Sequence, residues 1–310
     1  MTAASQLCPA CGHPSLDDLG ALPPLRSGTF GGQPTHAAFE AGHLMRCRTC
    51  DLQFRNPSLP ESELTKLYED LPDTVWHSTE PRPYWPLALR LLERHAVNPS
   101  VLDVGCFCGD LLHWLPAKWS KSGIEPALAA RKAAESRSIQ LVGRTAEDLS
   151  AGEHEFGAVL AFDVIEHLTN PLPFLKQLQS ALAPGGSLIL FTGATDTWPY
   201  RLFRRHYWYG SFPEHVTFYS RDWFVWAAGQ LGMSVTSCHY LSSESRRPLL
   251  WLKQLAQLSI YTLTQKLREW RVPEPVLHRL PLVGRAANWT SVPWSKQAAD
   301  HLMVVLGPHI

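Results

Sequence analysis

Four cysteines near the start of the 310-residue sequence form two Cys-x-x-Cys pairs with 35 residues between them. They are Cys8, Cys11, Cys47 and Cys50. Two such pairs supply four thiolates, the tetrahedral ligand set that Zn²⁺ prefers in structural sites. No secretory signal is recognisable, which favours a metal site over disulfides. We therefore expect a closed, structural zinc site without a catalytic role.

A second stretch whose residues could form a ligand-binding site runs from Val101 to Leu112. An apolar run ends in Asp103, glycines follow at 105 and 109, and an apolar helical pattern then begins. This pattern indicates a strand, a loop that a ligand can approach closely, and a helix N-terminus; ligands bind at such strand ends in open α/β sheets. Glu125 lies 22 residues after Asp103, a spacing at which an acid can accept both hydroxyls of a ribose.

The same loop disfavours two other kinds of nucleotide site. Counted from Gly105, the dinucleotide fingerprint G-x-G-x-x-G would need glycines where Phe107 and Asp110 stand. A phosphate-binding loop of the Walker type would need Gly-Lys followed by Ser or Thr, which is not present here. An NAD-dependent enzyme is therefore not expected.

Alternating strand and helix patterns surround this loop. Strands are predicted at 100–104, 120–125, 139–142, 156–162 and 187–193, and helices at about 110–115, 127–137 and 171–183. Such alternation predicts an α/β fold with a parallel sheet covered by helices on both faces. Ala183-Pro184-Gly185-Gly186 predicts a turn before the fifth strand, and residues 194–219 read as a long loop.

Residues 244–297 break this alternation. Apolar residues recur there at helical spacing and predict a helix of about 22 residues; they are Leu249, Leu252, Ala256, Ile260, Leu263, Leu267 and Trp270. The polar side carries Lys253, Lys266 and Arg268, which leaves peripheral membrane contact through 249–270 open beside a lid, a substrate wall or a homodimer face. No stretch reaches the roughly 18 apolar residues that a membrane span needs.

Charge and targeting signals narrow the class of protein. The formal net charge is zero, so no overall field attracts nucleic acid or an anionic membrane. No targeting segment is recognisable. We expect a cytoplasmic protein that does not bind nucleic acid.

Taken in order, these motifs resemble the class I S-adenosylmethionine-dependent methyltransferases. The segments that carry the resemblance are 101–109, Gly123-Ile124-Glu125-Pro126, 145–149, 156–167 and 182–188. The resemblance implies a seven-stranded, Rossmann-like sheet whose last strand is antiparallel. The cysteine pairs predict a zinc-binding module at 1–57, and helical patterns predict a linker at 58–99. The resemblance implies a cofactor-binding domain at 100–243 plus 298–310 and a helical insertion at 244–297.

The resemblance further implies where S-adenosylmethionine would bind. The loop at Gly105 would approach its methionine part, Glu125 would hold the ribose, and Ala146 with Glu147 would flank the adenine. The full set of implied cofactor-binding residues is Asp103, Gly105, Cys106, Phe107, Gly109, Glu125, Ala146, Glu147, Phe162 and Asp163. Phe107 departs from the family pattern, because many members have glycine at this position.

A four-cysteine module before such a domain resembles the methyltransferases that act on nucleotide-linked or polymer sugars and on related small metabolites. That subgroup often carries Glu-His followed by aromatics, matched here by Glu214 and His215. His215 has the pKa class to remove a proton from a hydroxyl or an activated carbon, and Glu214 would orient or charge it. The alternative is that His215 packs the loop or caps the helix after Ser220. The implied acceptor is a sugar, free, nucleotide-linked or polymer-borne, methylated on oxygen or carbon.

Three alternatives remain open at this stage. Asp163, Glu166 and His167, with His215 as a distant fourth group, resemble a metal-assisted O-methyltransferase site for Mg²⁺ or Mn²⁺. The aromatic and arginine residues of 198–209 would either clamp phosphate and stack on a ligand or pack together in the protein. A non-catalytic protein, whose zinc module binds a partner on a methyltransferase scaffold, is the other class of function.

Overall fold

The computed structural model describes residues 7–25, 29–35, 39–150, 152, 155–244, 247–289, 291–295 and 299–309. The N-terminal part forms short antiparallel strands. They are β1 (Leu16–Ala21), β2 (Thr29–Phe30), β3 (Gln33–Pro34), β4 (His43–Cys47) and β5 (Gln53–Asn56). Strand β4 lies between β1 and β5, and β2 pairs with β3 in a separate hairpin.

Two helices connect this part to the main sheet, α1 (Glu61–Glu69) and α2 (Trp85–His95). Ala88, Leu91 and Leu92 recur at helical spacing in α2, and all three are buried. Helix α2 packs on the main sheet against a core shared with its central strands.

The chain then alternates between strands and helices. These elements are β6 (Ser100–Val104), α3 (Asp110–Trp114), β7 (Ser120–Ile124), α4 (Leu128–Ser136), β8 (Gln140–Gly143), β9 (Phe156–Phe162), α5 (Pro171–Ser180) and β10 (Leu182–Gly193). Successive residues of β9 point to opposite faces. Val159 and Ala161 join one apolar core, whereas Ala158 and Leu160 join the other. The predicted α/β fold with helices on both faces is therefore confirmed.

The remaining elements are α6 (Trp198–Phe203), β11 (Thr217–Phe218), α7 (Arg221–Gln230), β12 (Met233–Leu241), α8 (Pro248–Glu269), α9 (Glu274–Arg279), α10 (Val283–Ala287) and β13 (His301–Pro308). Helix α8 has 22 residues, as its apolar spacing predicts. Within the ranges given above, we find no helix that is both long enough and apolar enough to cross a membrane.

Two local predictions were wrong. The predicted turn at Ala183-Pro184-Gly185-Gly186 lies within β10, which begins at Leu182 and has a break in register between Leu182 and Ser187. Glycines at 185 and 186 allow this bulge, so the chain stays extended beside β9. The predicted loop at 194–219 contains α6 and β11, because tertiary contacts stabilise these short elements.

The main sheet has seven strands in the order β12-β13-β10-β9-β6-β7-β8. Strand β13 runs antiparallel to both β10 and β12, as expected. The chain moves in opposite directions from the β6–β9 boundary, since β7 and β8 lie on one side and β10 on the other. This boundary is the topological switch point, where α/β sheets open a crevice for ligands.

The N-terminal sheet shares a strand with the rest of the protein. Strand β11 pairs with β5, which gives the order β1-β4-β5-β11. Cys8, Cys47 and Cys50 lie in the same apolar cluster as Tyr219 and Trp223. The two parts are therefore joined by backbone pairing and by side-chain packing, and the fourfold domain division stays a prediction.

Candidate functional site

The loop between β6 and α3 is a tight turn that requires glycine. Gly105 has φ +74° and Gly109 has φ +72°, in the left-handed region that side chains strain. A Cβ on Gly105 would lie 2.5 Å from Val164 Cγ2, and one on Gly109 would lie 2.0 Å from Ile139 Cδ1. The backbone of the loop is therefore held at the switch point by its neighbours.

Phe107 occupies the third left-handed position of this loop. Its φ is +49°, which costs a non-glycine residue about 1–2 kcal/mol. Its ring packs edge-on against Trp76, with 5.5 Å between ring centroids, in a cluster with Cys108, Ala130 and Val216. The strain that glycine would avoid is thus offset by burial of an aromatic ring beside the loop.

Two buried acids lie at the ends of β6 and β7. Glu125 accepts backbone N–H bonds from Phe107 on Oε2 and from Ala127 on Oε1, each at 2.8 Å. Burial raises the pKa of Glu125 to about 7, although these two hydrogen bonds act to lower it. Burial, and then the charge of Glu125, raise the pKa of Asp103 to about 8. Each Glu125 oxygen keeps one further lone pair for a ligand.

The remaining predicted cofactor residues surround these acids. Cys106 is buried with its Sγ against the Cα side of Gly123. The turn after β8 places Ala146 inside the protein and Glu147 outside it. The side chain of Cys106 therefore faces the apolar core, and its backbone forms part of the loop.

Asp163 follows β9 on the other side of the switch point, with φ +53°. Its carboxylate accepts a hydrogen bond from the Tyr84 hydroxyl at 3.2 Å, and Arg82 and His301 lie 3.8 and 3.9 Å away. Phe162 packs edge-on against Tyr84. Tyr84 and Arg82 precede α2 and were missed by the sequence analysis, because their position depends on long-range packing.

Two histidines face each other near this crevice. His215 Nδ1 lies 2.9 Å from the Tyr209 carbonyl oxygen, and His167 Nδ1 lies 3.0 Å from the Glu214 carbonyl oxygen. Because a carbonyl only accepts, both Nδ1 atoms carry a proton, and the Nε2 atom of a neutral ring then has a free lone pair. Burial, and then the neighbouring His167, lower the pKa of His215 well below its usual range. His215 is therefore a neutral imidazole at physiological pH.

A buried carboxylate completes this histidine cluster. Glu166 accepts hydrogen bonds from Tyr209 Oη at 2.6 Å and from Thr192 Oγ1 at 2.8 Å, and burial raises its pKa. The ligand atoms of Glu166, His167 and His215 lie within 4.8 Å of one another. The sequence motifs predicted His215 only as a distant fourth group, whereas the structure places it beside Glu166 and His167. Asp163 lies against Tyr84 instead.

Arg55 holds the segment that carries His215. It is buried in β5 and donates to the carbonyl oxygens of Gly210 at 2.8 Å, Phe212 at 3.1 Å and His215 at 3.3 Å. Burial lowers its pKa to about 10, so it stays charged at pH 7. No spacing in the sequence could indicate this role, since the partners lie about 160 residues away.

Tyr68 of α1 lies over the histidine cluster. Its ring packs edge-on against His167, with 5.4 Å between centroids. Its hydroxyl oxygen is buried and has no hydrogen-bond partner in the described part of the chain. A buried hydroxyl of this kind is a group that a bound ligand would satisfy.

The aromatic residues of the loop after β10 are packed in the protein. Tyr200, Tyr207, Trp208 and Tyr209 are buried in one cluster, to which α8 contributes Leu258 and Tyr261. Arg205 pairs with Glu269 of α8 at 2.5 Å. The structure therefore favours the packing interpretation of this loop over the ligand-stacking one.

The four cysteines converge at one point. Their sulfur atoms lie within 4.8 Å of one another, with 3.5 Å between Cys8 and Cys50 and between Cys11 and Cys47. Zinc–sulfur bonds of about 2.3 Å would put tetrahedral sulfurs about 3.8 Å apart. Gly12 and Asp51, at φ +68° and +65°, turn the chain after each pair. The donor set fits a tetrahedral zinc site.

A family model described as a methyltransferase domain matches residues 76–237, just over half of the chain. The mitochondrial ubiquinone biosynthesis O-methyltransferase of Arabidopsis thaliana is 29% identical over 190 residues, 50% of this chain and 59% of that protein. The ubiquinone biosynthesis O-methyltransferase of Parvibaculum lavamentivorans is 33% identical over 113 residues, 33% of this chain and 44% of that protein. The chain thus spans about half the length of these relatives.

A solved SAM-dependent methyltransferase of Archaeoglobus fulgidus is 16% identical, covers 72% of this chain and 94% of that one, and has a TM-score of 0.47.

The segment 76–237, which the family model matches, contains the glycine loop, both buried acids and the histidine cluster. The order of the seven strands agrees with the sheet implied by the sequence motifs. The chain therefore belongs to the class I S-adenosylmethionine-dependent methyltransferases.

Proposed function

We propose that this protein transfers a methyl group from S-adenosylmethionine to a hydroxyl group of a small molecule. The observation that carries the proposal is the position of the buried acids at one switch point, with the neutral imidazole of His215 near the same crevice. When bound, the cofactor supplies an electrophilic methyl group on a sulfonium. The names of the two relatives, both O-methyltransferases, support oxygen as the atom that is methylated.

We propose that Glu125 binds the cofactor ribose with the lone pair that remains on each carboxylate oxygen. The loop from Gly105 to Gly109 would lie against the methionine part of the cofactor, with Asp103 beneath it. Ala146 would form an apolar wall of the adenine site and Glu147 its rim. Phe162 and Asp163 would line the side where the methyl group leaves.

His215 is the proposed general base. Its Nε2 lone pair would take the proton of the acceptor hydroxyl as the new carbon–oxygen bond forms, and the Tyr209 carbonyl keeps the ring in the tautomer that this step needs. The expected role of Glu214, to orient or charge His215, is replaced, because the Tyr209 carbonyl contacts His215 Nδ1. Glu214 would instead position the neighbouring His167 through its backbone carbonyl. The buried hydroxyl of Tyr68 offers the acceptor a further hydrogen bond.

A sugar, free or nucleotide-linked, is the acceptor that we propose first, because the four-cysteine module and the Glu214–His215 pair resemble enzymes of that subgroup. The test is transfer of a tritiated methyl group to a panel of sugars, nucleotide-linked sugars and phenols. Label in a sugar supports the proposal. Label only in phenols would contradict a sugar acceptor and indicate a phenol instead. Cofactor binding without transfer to any acceptor would favour the non-catalytic alternative.

We also propose that the four cysteines bind one structural Zn²⁺. Their sulfur geometry fits the ion, and three of the four are buried. The ion would have no open position for substrate. Its role would be to stabilise the fold of the N-terminal segment.

Cofactor affinity should rise with pH. Because burial raises the pKa of Glu125 to about 7, only about a tenth of the carboxyl groups are ionised at pH 6 and about nine tenths at pH 8. The ionised form accepts both ribose hydroxyls, so calorimetry should show about tenfold tighter binding at pH 8 than at pH 6. Glu125→Ala should abolish binding, and Glu125→Gln should remove the pH dependence. Unchanged affinity of Glu125→Ala would refute the assignment.

A second candidate is metal-assisted O-methylation at Glu166, His167 and His215. The observation that favours it is that both histidines donate their Nδ1–H to backbone carbonyls, as metal-ligating histidines do. Two imidazoles and one carboxylate would suit Zn²⁺, Fe²⁺ or Mn²⁺ better than Mg²⁺.

If this metal is used, EDTA should stop turnover and Mn²⁺ or Fe²⁺ should restore it, while metal analysis still finds the cysteine-bound zinc. His167→Ala should then lose the metal bound by the histidine cluster but keep the cysteine-bound zinc. Turnover that EDTA leaves untouched, with the zinc retained, would eliminate this candidate and leave His215 as a metal-free base.

A further inference from the structure

Helix α8 presents an apolar stripe to solvent on the side that faces away from the protein core. The exposed residues are Leu249, Leu252, Ala256 and Leu263 of the helix and Trp270 directly after it, which we name the α8 face. Leu249 is 84% exposed, Trp270 72% and Leu252 53%. Single exposed apolar residues are normal on proteins, but a row of them along one side of a helix marks an interaction surface.

The spacing of these residues makes the stripe narrow and long. At about 100° per residue, the five positions fall within about 60° of the helix circumference, and the 22-residue helix is about 33 Å long. Lys253 and Lys266 are also exposed, and the same geometry places one on each side of the stripe. The opposite side of α8 is held in the protein by Leu258 and Tyr261.

The surrounding segment is strongly basic. Residues 247–289 contain seven Lys or Arg against two Glu, a surplus of five positive charges. Both glutamates are engaged by arginines, Glu269 by Arg205 at 2.5 Å and Glu274 by Arg268 at 2.7 Å. Because the formal charge of the whole chain is zero, the residues outside this segment carry a surplus of five negative charges, and the positive charge is concentrated here.

We propose that the α8 face binds the surface of a bilayer that contains anionic phospholipids. A helix that lies in a membrane interface combines an apolar stripe with flanking Lys or Arg, and often Trp at the level of the headgroups. The lysines beside the stripe would contact phosphate groups while Leu249, Leu252 and Leu263 enter the acyl boundary.

A second copy of the chain is a less suitable occupant. Two α8 faces in contact would bring two basic segments together, and like charges oppose such pairing. An anionic bilayer satisfies the apolar stripe and the surplus charge at once. The proposal is independent of the methyl-transfer reaction, since no residue of the α8 face belongs to the candidate site.

The full chain should sediment with vesicles of phosphatidylcholine containing about 30% phosphatidylserine, less so with pure phosphatidylcholine, and less at high salt. Each basic residue contributes about fivefold to such binding, so Lys253→Glu with Lys266→Glu should weaken partitioning by about 25-fold or more. Lys176→Glu, an exposed lysine of α5, is the matched control and should leave partitioning unchanged.

The apolar contribution is tested with Leu252→Ser, which should weaken partitioning on the order of tenfold. Val225→Ser is its control, because Val225 of α7 is exposed to a similar extent, 47% against 53%. Equal sedimentation with neutral and anionic vesicles, or no effect of the lysine and leucine changes, would overturn the proposal. A concentration-dependent dimer that Leu252→Ser dissolves, without vesicle binding, would also overturn it in favour of a second copy.

Discussion

Replacing His215 with asparagine is expected to lower kcat by about 10²- to 10⁴-fold, because a positioned general base contributes a factor of that size. An asparagine amide can still donate to the Tyr209 carbonyl, which His215 Nδ1 contacts at 2.9 Å, but it has no basic nitrogen in place of Nε2. Cofactor affinity measured by calorimetry should stay unchanged.

The pH profile separates a base from a structural residue. Burial lowers the pKa of His215 well below its usual range, so the ring stays neutral and kcat/KM should show no decline attributable to this group between pH 8 and pH 6.5. His113→Ala, an exposed histidine at the end of α3, is the control. Wild-type turnover of His215→Asn, with loss in His167→Ala, would transfer the role of base to His167.

Loss of the proposed cysteine-bound zinc is expected to remove turnover as well as stability, although the ion would take no part in the reaction itself. Cys50→Ser should lower the bound zinc from one ion per chain to none and destabilise the chain by several kcal/mol. Strand β5 follows the second cysteine pair and pairs with β11, two residues after His215. We therefore expect the segment that carries the proposed base to lose its support when the N-terminal segment unfolds.

Two matched variants distinguish the parts of this effect. Cys238→Ser changes a half-buried cysteine outside the cluster and should retain zinc, stability and turnover. Arg55→Leu should retain zinc by metal analysis but lose turnover, because Arg55 holds the carbonyls of Gly210, Phe212 and His215. Zinc content and thermal stability of Cys50→Ser equal to those of the unsubstituted protein would contradict the role of the cluster.

Much of the architecture follows from local patterns. The apolar runs predicted strands such as Ser100–Val104 and Phe156–Phe162, and the helical spacing of leucines predicted α8. The glycines at 105 and 109 indicated a tight loop, and both have positive φ. Periodicity and backbone freedom are properties of neighbouring residues, so the sequence reveals them without knowledge of the fold.

The short elements after β10 show where local patterns fail. Strand β11 has two residues, Thr217 and Phe218, and exists because β5 offers a hydrogen-bonding edge about 160 residues earlier in the chain. The aromatics of the same segment were ambiguous in sequence, since a ring can stack on a ligand or pack in a core. Burial of Tyr207 and Tyr209 settles that choice through contacts with α8 and the N-terminal sheet.

The sequence by itself determined the α/β class, the glycine loop with Glu125, the four-cysteine cluster and His215 as a candidate base. Only the tertiary structure decided which groups surround that base: Glu166 and His167 join His215, Asp163 turns to Tyr84, and Arg55 supports the segment from another sheet. The tautomer and the lowered pKa of His215 were likewise decided there. The reason is that these properties arise from burial and from contacts between residues distant in sequence, which no local spacing encodes.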